Sequence, residues 1–177
     1  MTKILSILMM LCCVCLCVAY TPMQTSDAGK EFIKSYEKCV LERYWDNGAY
    51  SIGYGHRMTG NMKAYKKIDM QTANRLFDED IALTEKYANT ILKKIKWQPS
   101  QSFFDGLVSV IYNAGIGGVQ KTEFYRRLLR CRVKDGKVNS NDLSFTVAAI
   151  KTARIPDSRY ADGVKKRRHA EHLMMLK

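Results

Sequence analysis

Glu37, Asp46 and Ser51 in the stretch "EKCVLERYWDNGAYSIGYGH" are residue types that could do chemistry together. Asn47-Gly48 is a strong tight-turn signal between two runs rich in aromatic and β-branched residues. With it as a two-residue loop, Asp46 faces Ala49, Trp45 faces Tyr50, and Tyr44 faces Ser51. Side chains alternate along a strand, so Asp46 and Ser51 share a face as diagonal neighbours. Trp45 and Tyr50 pair on the other face, where they can pack against core. A polar pair on a hairpin is common by itself. Glu37 adds a second carboxylate at the end of the preceding helix, so helix end and hairpin can close a cleft with one carboxylate on each wall. Two carboxylates across a cleft are the apparatus of glycoside hydrolysis. One must be protonated to donate to the leaving oxygen, and the other must stay charged to hold a water or to stabilise positive charge at the sugar carbon. Glu37, beside apolar Tyr36 and Val40, suits the acid. Asp46, on a wetter turn, suits the base. The ordinary alternative is that Glu37 is one of several surface acids, like Glu31 or Glu42.

The elements that must position these residues follow from local signals. Ser26 or Asp27 can cap a helix carrying Phe32, Ile33 and Tyr36 on one face, fraying near Glu37 to Cys39. "VLERYW" and "AYSIGY" read as the two hairpin strands. Residues 57–68 read as a loop with room for a third short strand. Asp69 caps a long helix whose apolar positions are Leu76, Phe77, Ile81, Leu83, Tyr87, Ile91 and Leu92. Pro99 interrupts, and Ser100 caps "QSFFDGLVSVIYNAG", which is apolar on most sides and reads as a buried central helix. Gly115, Gly117 and Gly118 end it. Thr122 begins "EFYRRLLRCRV", which Asp135-Gly136 breaks. "NDLSFTVAAIKTARI", Pro156 and "GVKKRRHAEHLMML" complete the chain. One helix, a small antiparallel sheet and then a run of helices make an α+β arrangement with segregated parts.

The chain has 177 residues, 46% of them hydrophobic, which suffices for a packed core and excludes a disordered chain. Its formal charge of +12 favours a polyanionic partner: nucleic acid, an anionic membrane face or an acidic wall polymer. The first residues are basic, then apolar through "ILSILMMLCCVCLCVA", then polar, the order of a secretory signal peptide over residues 1–19, with residues 20–177 as the mature domain. A retained signal-anchor is the alternative. Export counts against nucleic acid, and the membrane is met only through this segment. Cys39 and Cys131 are the cysteines beyond it, and whether they pair is open.

"SYEKCVLERYWDNGAYSIGYGHRMTG" resembles the active-site stretch of phage-type lysozymes and endolysins, glycoside hydrolase family 24. "DGLVSVIYNAGIGG", "FYRRLLR" and "GVKKRRHAEHLMM" are similar, in order, to that family's later helices. The resemblance covers nearly all of residues 26–176. It implies a lysozyme-like fold, a small β-hairpin lobe plus a larger helical lobe, and a muramidase that cleaves the β-1,4 bond between N-acetylmuramic acid and N-acetylglucosamine in peptidoglycan. Glu37 then matches the catalytic acid, Asp46 the second catalytic carboxylate and Ser51 the catalytic Thr. Two departures stand out: Ser replaces Thr, and the spacing from Asp46 is one residue shorter than in common members. Tyr54 and His56 are placed beside the cleft as substrate contacts, although His56 reads from chemistry as a hydrogen-bonding structural residue rather than a base. Arg167 and Arg168 fit the family's closing helix and are expected in ion pairs or at the lobe interface. No metal or organic cofactor is needed, the partner is peptidoglycan, and a monomer acting on the cell wall after export is expected. A catalytically impaired lysozyme fold that binds peptidoglycan is the competing reading.

Overall fold

The structure, a computed structural model, describes residues 20–46, 48–156 and 160–177. The signal segment expected over residues 1–19 and Asn47 of the expected turn lie outside the described residues.

Helix α1 (Asp27–Tyr36) begins at Ser26, whose hydroxyl accepts from the Gly29 N–H. Ser26 is itself held, because its N–H and hydroxyl both donate to the Asp105 carboxylate. Gly29 is required here by space: a Cβ would lie 2.6 Å from Asp105 Cγ and 2.8 Å from Thr25 Cγ2. The helix stops after Tyr36. Glu37 turns extended, at φ −105° and ψ 124°, and leads into the sheet.

Strands β1 (Val40–Asp46), β2 (Ala49–Gly53) and β3 (His56–Arg57) form one antiparallel sheet in chain order. The register is the expected one: Tyr44 opposite Ser51, Trp45 opposite Tyr50, Asp46 opposite Ala49. The third strand comes earlier than residues 57–68 suggested, and Tyr54 sits in the bend before it rather than in β2. The segment after β3 instead forms a 3₁₀ turn (Gly60–Ala64) and bridges back to β1 through Glu42 and Lys67. The aromatic pair differs from expectation. Trp45 and Tyr50 do meet edge to face at 5.1 Å, but Trp45 is 65% exposed. Their face of the sheet is buried only at its base, where Leu41 and Ile52 join Met58, Ile68, Ala73 and Leu76 in a small core. The hairpin tip projects past that core.

Helix α2 (Met70–Lys94) is capped by Asp69, whose carboxylate accepts from the Thr72 N–H at 2.7 Å. At about 1.5 Å per residue it is long enough to span both parts of the molecule. Ala73 and Leu76 enter the small core, and Phe77, Ile81, Ala88, Ile91 and Leu92 enter the large one. Leu83 and Tyr87, counted in the apolar set by spacing, fall outside this stripe and are exposed; Leu83 is 52% accessible.

Helix α3 (Gln101–Ala114), capped by Ser100, is buried continuously from Phe103 to Ile111, as a central helix should be. The glycines after it do not leave a loop. Gly115, at φ 69°, turns the chain into a single-turn helix α4 (Ile116–Val119). Helix α5 (Glu123–Arg130) ends three residues short of Val133. Val133–Lys134 (β4) and Lys137–Val138 (β5) instead pair across Asp135-Gly136, both at positive φ, in a second small hairpin. Helix α6 (Ser140–Ala148), a 3₁₀ turn (Ala149–Thr152) and helix α7 (Ala161–Met175) close the helical part. Gly106 lets α7 lie directly on α3, with Met175 against its α-carbon. The result is a mostly helical lobe with a small antiparallel sheet at one end of α2. Among the described residues no helix is long and apolar enough to cross a membrane.

Candidate active site

Glu37 stands where α1 hands over to β1, so its backbone is fixed on both sides. Its side chain is 21% exposed, and its Oε1 accepts from Nη1 of Arg167 on α7. Arg167 is 3% exposed and almost fully engaged. Its Nε donates to Glu171 Oε1 at 3.0 Å, and its Nη2 donates to the carbonyl and the hydroxyl of Ser109 at 3.3 and 3.2 Å. Glu171 is wholly buried; it also accepts from Ser109 Oγ at 2.6 Å and from Nη1 of Arg168. Arg168 is tied further to the Ala153 carbonyl and to Asn113. Buried charge is tolerated only when paired and hydrogen-bonded, and this cluster meets that condition. The ion pairs expected of the two arginines are therefore present, and they join α7 to α1 and α3.

Asp46 ends β1 and is exposed. Ser51, on the same face by register, is 4% exposed and lies between Tyr44 on β1 and Arg57 on β3. Tyr44 lies opposite Ser51 on the Asp46 face and is half-buried. Burial pushes its phenol above the ordinary value, and the Asp46 and then the Glu37 carboxylates push it further. Asp46, Tyr44 and Glu37 thus share one electrostatic neighbourhood. Tyr112 closes it from α3. Its hydroxyl donates to the Tyr54 carbonyl at 2.8 Å. Burial raises this phenol strongly, with the Asp80 and Glu37 carboxylates adding and Arg167 opposing.

His56 and Tyr54 are each tied to α2. The Nδ1 of His56 lies 3.0 Å from Asp80 on α2, and this hydrogen bond raises the imidazole above its usual value despite burial. Its ring ties sheet to helix. The Tyr54 ring packs edge to face on Phe77 at 5.3 Å with the Lys34 ammonium above it. Cys39 and Cys131 are both free thiols, in different parts of the molecule: Cys39 packs on the small core and Cys131 meets Thr146 of α6. Among the described residues no group of His, Cys, Asp and Glu is placed to hold a metal ion.

Tyr44, Tyr112, Ser109 and Asp80 were not singled out by residue type. Tyr112 lay within the quoted "IYNAG" string, but helical periodicity does not tell where a phenol points. Tyr44 was placed opposite Ser51 by the hairpin register, which was the available signal for it.

The family model described as phage lysozyme matches residues 34–171, a span that contains Glu37, Asp46, Ser51, Arg167 and Glu171. The endolysin of Bacillus phage PZA is 30% identical over 109 residues, covering 60% of this chain and 41% of its own length. The chain thus spans well under half of that curated relative. Among solved structures, the endolysin from Escherichia coli O157:H7 phage FAHEc1 is 30% identical with a TM-score of 0.67, covering 89% of this chain and 96% of that one. The muramidase domain of SpmX from Asticaccaulis excentricus has a TM-score of 0.68 at 21% identity, covering 87% and 98%, a likeness of fold alone. With the fold, the ordered motifs and the family match in agreement, the chain belongs to the phage lysozyme family.

Proposed function

We propose that this protein is a peptidoglycan-hydrolysing lysozyme that cleaves the β-1,4 bond between N-acetylmuramic acid and N-acetylglucosamine. The observation that carries this reading is the hairpin register that sets Ser51 on the Asp46 face, with Glu37 at the α1–β1 junction leading into the same sheet and held there by Arg167. Glu37 donates a proton to the glycosidic oxygen, so the departing sugar leaves as an alcohol. Asp46 and Ser51 hold a water on the opposite face of the sugar, Asp46 taking its proton as it attacks the anomeric carbon. That route inverts the anomeric centre. Direct attack by Asp46 would retain it. The formal charge of +12 suits an anionic wall.

The test is mass analysis of purified peptidoglycan digested by the full chain. Products with a reducing N-acetylmuramic acid end are expected. An anhydro-sugar end would replace hydrolysis with intramolecular transglycosylation. Binding of peptidoglycan without any cleavage would favour the catalytically impaired reading, for which Ser51 in place of the family's Thr is the motive.

A further inference from the structure

The buried cluster behind Glu37 is larger than an ion pair requires. Arg167 lies between two carboxylates, donating through Nη1 to Glu37 and through Nε to Glu171. Glu171 has no exposure, yet it is held by Arg167, Arg168 and Ser109 together. Counting charges, two guanidiniums face two carboxylates, and Glu37 is the carboxylate that water and substrate can reach. A proton placed on Glu37 leaves the cluster with an excess positive charge. The charge that Arg167 presents to Glu37 therefore depends on how much of it Glu171 already balances.

We propose that Glu171, acting through Arg167, is a positioning residue for Glu37: it fixes the guanidinium so that one N–H meets Oε1, and its charge offsets part of the Arg167 charge that faces Glu37. This rests on the reading of Glu37 as the general acid. Ser109 completes the device by bridging Glu171 and Arg167. The Glu37 charge also reaches the phenols of Tyr44 on β1, which Asp46 shares, and Tyr112 on α3, which Asp80 of α2 shares. Neither phenol is charged near neutral pH, since burial raises both. Arg167 is therefore the cation in contact with Glu37, and Glu171 is its balance.

The experiment is the pH profile of wall lysis for the full chain and its variants, each checked for folding by thermal midpoint. Glu171→Gln removes the balancing charge, strengthens the pull of Arg167 on ionised Glu37 and should move the alkaline limb of activity down by roughly 0.5–1 pH unit. Arg167→Gln removes the cation and should move the limb up while lowering kcat. Glu171→Asp and Arg167→Lys keep the charges but disturb the geometry, so kcat should fall severalfold with the limb in place. Opposite shifts for Glu171→Gln and Arg167→Gln support the device. A folded Glu171→Gln with the wild-type limb overturns it. If Glu171→Gln does not fold, wild-type kcat in both Glu171→Asp and Arg167→Lys overturns it, and a severalfold loss in both with an upward limb in Arg167→Gln supports it. Glu37→Gln runs in the same series. If it lyses walls like wild type, or if the wild-type chain lyses none, the general-acid reading fails and this proposal with it. If Glu37→Gln is inactive while the Glu171→Gln limb stays put, only the proposal fails.

Discussion

The Arg167 guanidinium donates to the Glu37 carboxylate from a helix 130 positions further along the chain. The contact brings the last helix to the junction of the first helix and the sheet, so the proposed acid is built from both ends of the domain. It also gives Glu37 a fixed direction, since Arg167 is immobilised by Glu171 and Ser109 behind it.

Glu37→Gln keeps the side-chain shape and an acceptor for Arg167 but cannot deliver a proton. General acid assistance is typically worth about 10²–10⁴-fold, so wall lysis should fall by at least ~10²-fold. The thermal midpoint should change little. Glu42→Gln is the control: Glu42 is 74% exposed and only pairs with Lys67 at 3.7 Å. It should lyse walls at the wild-type rate. A turbidity assay on purified walls that ranked the two variants the other way would move the acid elsewhere.

Ser51 tests the opposite wall. Ser51→Ala removes the hydroxyl from the Asp46 face and should lower kcat by roughly 10-fold or more, the loss of one positioned group in the general-base half of the reaction. Ser51→Thr keeps the hydroxyl and restricts its rotamer, so activity should be kept or raised provided the fold accepts the methyl. Measuring kcat beside the thermal midpoint separates the two effects, because Ser51 is nearly buried. Equal kcat for Ala and Ser would remove this hydroxyl from the mechanism.

Much of this arrangement was legible because its causes are local. Ser26, Asp69, Ser100 and Thr122 each cap a helix within three residues of themselves, and the hairpin register follows from a two-residue turn. The shared face of Asp46 and Ser51 follows from that register. What resisted was anything set by distant packing. Alternation gives a strand two faces but not how far the core extends, so Trp45 and Tyr50 were expected inside and project outside. Helical spacing placed Leu83 and Tyr87 near the apolar stripe, but only contact with α3 decides which flank is covered. Asp135-Gly136 carried a turn signal, yet its flanking strands have two residues each, too short to announce themselves. The Glu171 cluster is local only in part: Arg167 and Arg168 reach Glu171 along one helix, but no local pattern brings Ser109 of α3 or Glu37 to it.

Gly29→Ala should destabilise the chain without touching the cleft. The added Cβ would stand 2.6 Å from Asp105 Cγ and 2.8 Å from Thr25 Cγ2, neither at the far end of a flexible side chain. Asp105 is buried and receives both bonds from Ser26, the α1 cap, so relief by moving Asp105 also loosens that cap. Overpacking of this kind costs about 1–3 kcal/mol, and for a domain of this size each kcal/mol lowers Tm by roughly 2–4 °C. A thermal scan showing a midpoint equal to wild type would mean that α1 and α3 can separate at little cost.

His56 and Asp80 give stability a pH dependence whose sign follows from the bond between them. The folded imidazole is raised above its usual value, chiefly by the Asp80 hydrogen bond, with burial opposing and the Asp80 charge assisting. The unfolded chain leaves this His near its ordinary value of about 6.5. The folded state therefore binds the proton more tightly, and the pair contributes its full stability below the unfolded value. That contribution is lost as pH rises from there through the folded value. A charge-assisted hydrogen bond of this kind is worth roughly 1.5–3 kcal/mol. His56→Gln should accordingly lower the thermal midpoint by several degrees at pH 5.5, where His56 is charged. The gap from wild type should narrow steadily as pH is raised to 9. Asp80→Asn should give the same narrowing. A gap that is constant across this range, or that widens with pH, would mean that His56 acts in the fold as a neutral hydrogen-bonding group and that the proton adds nothing.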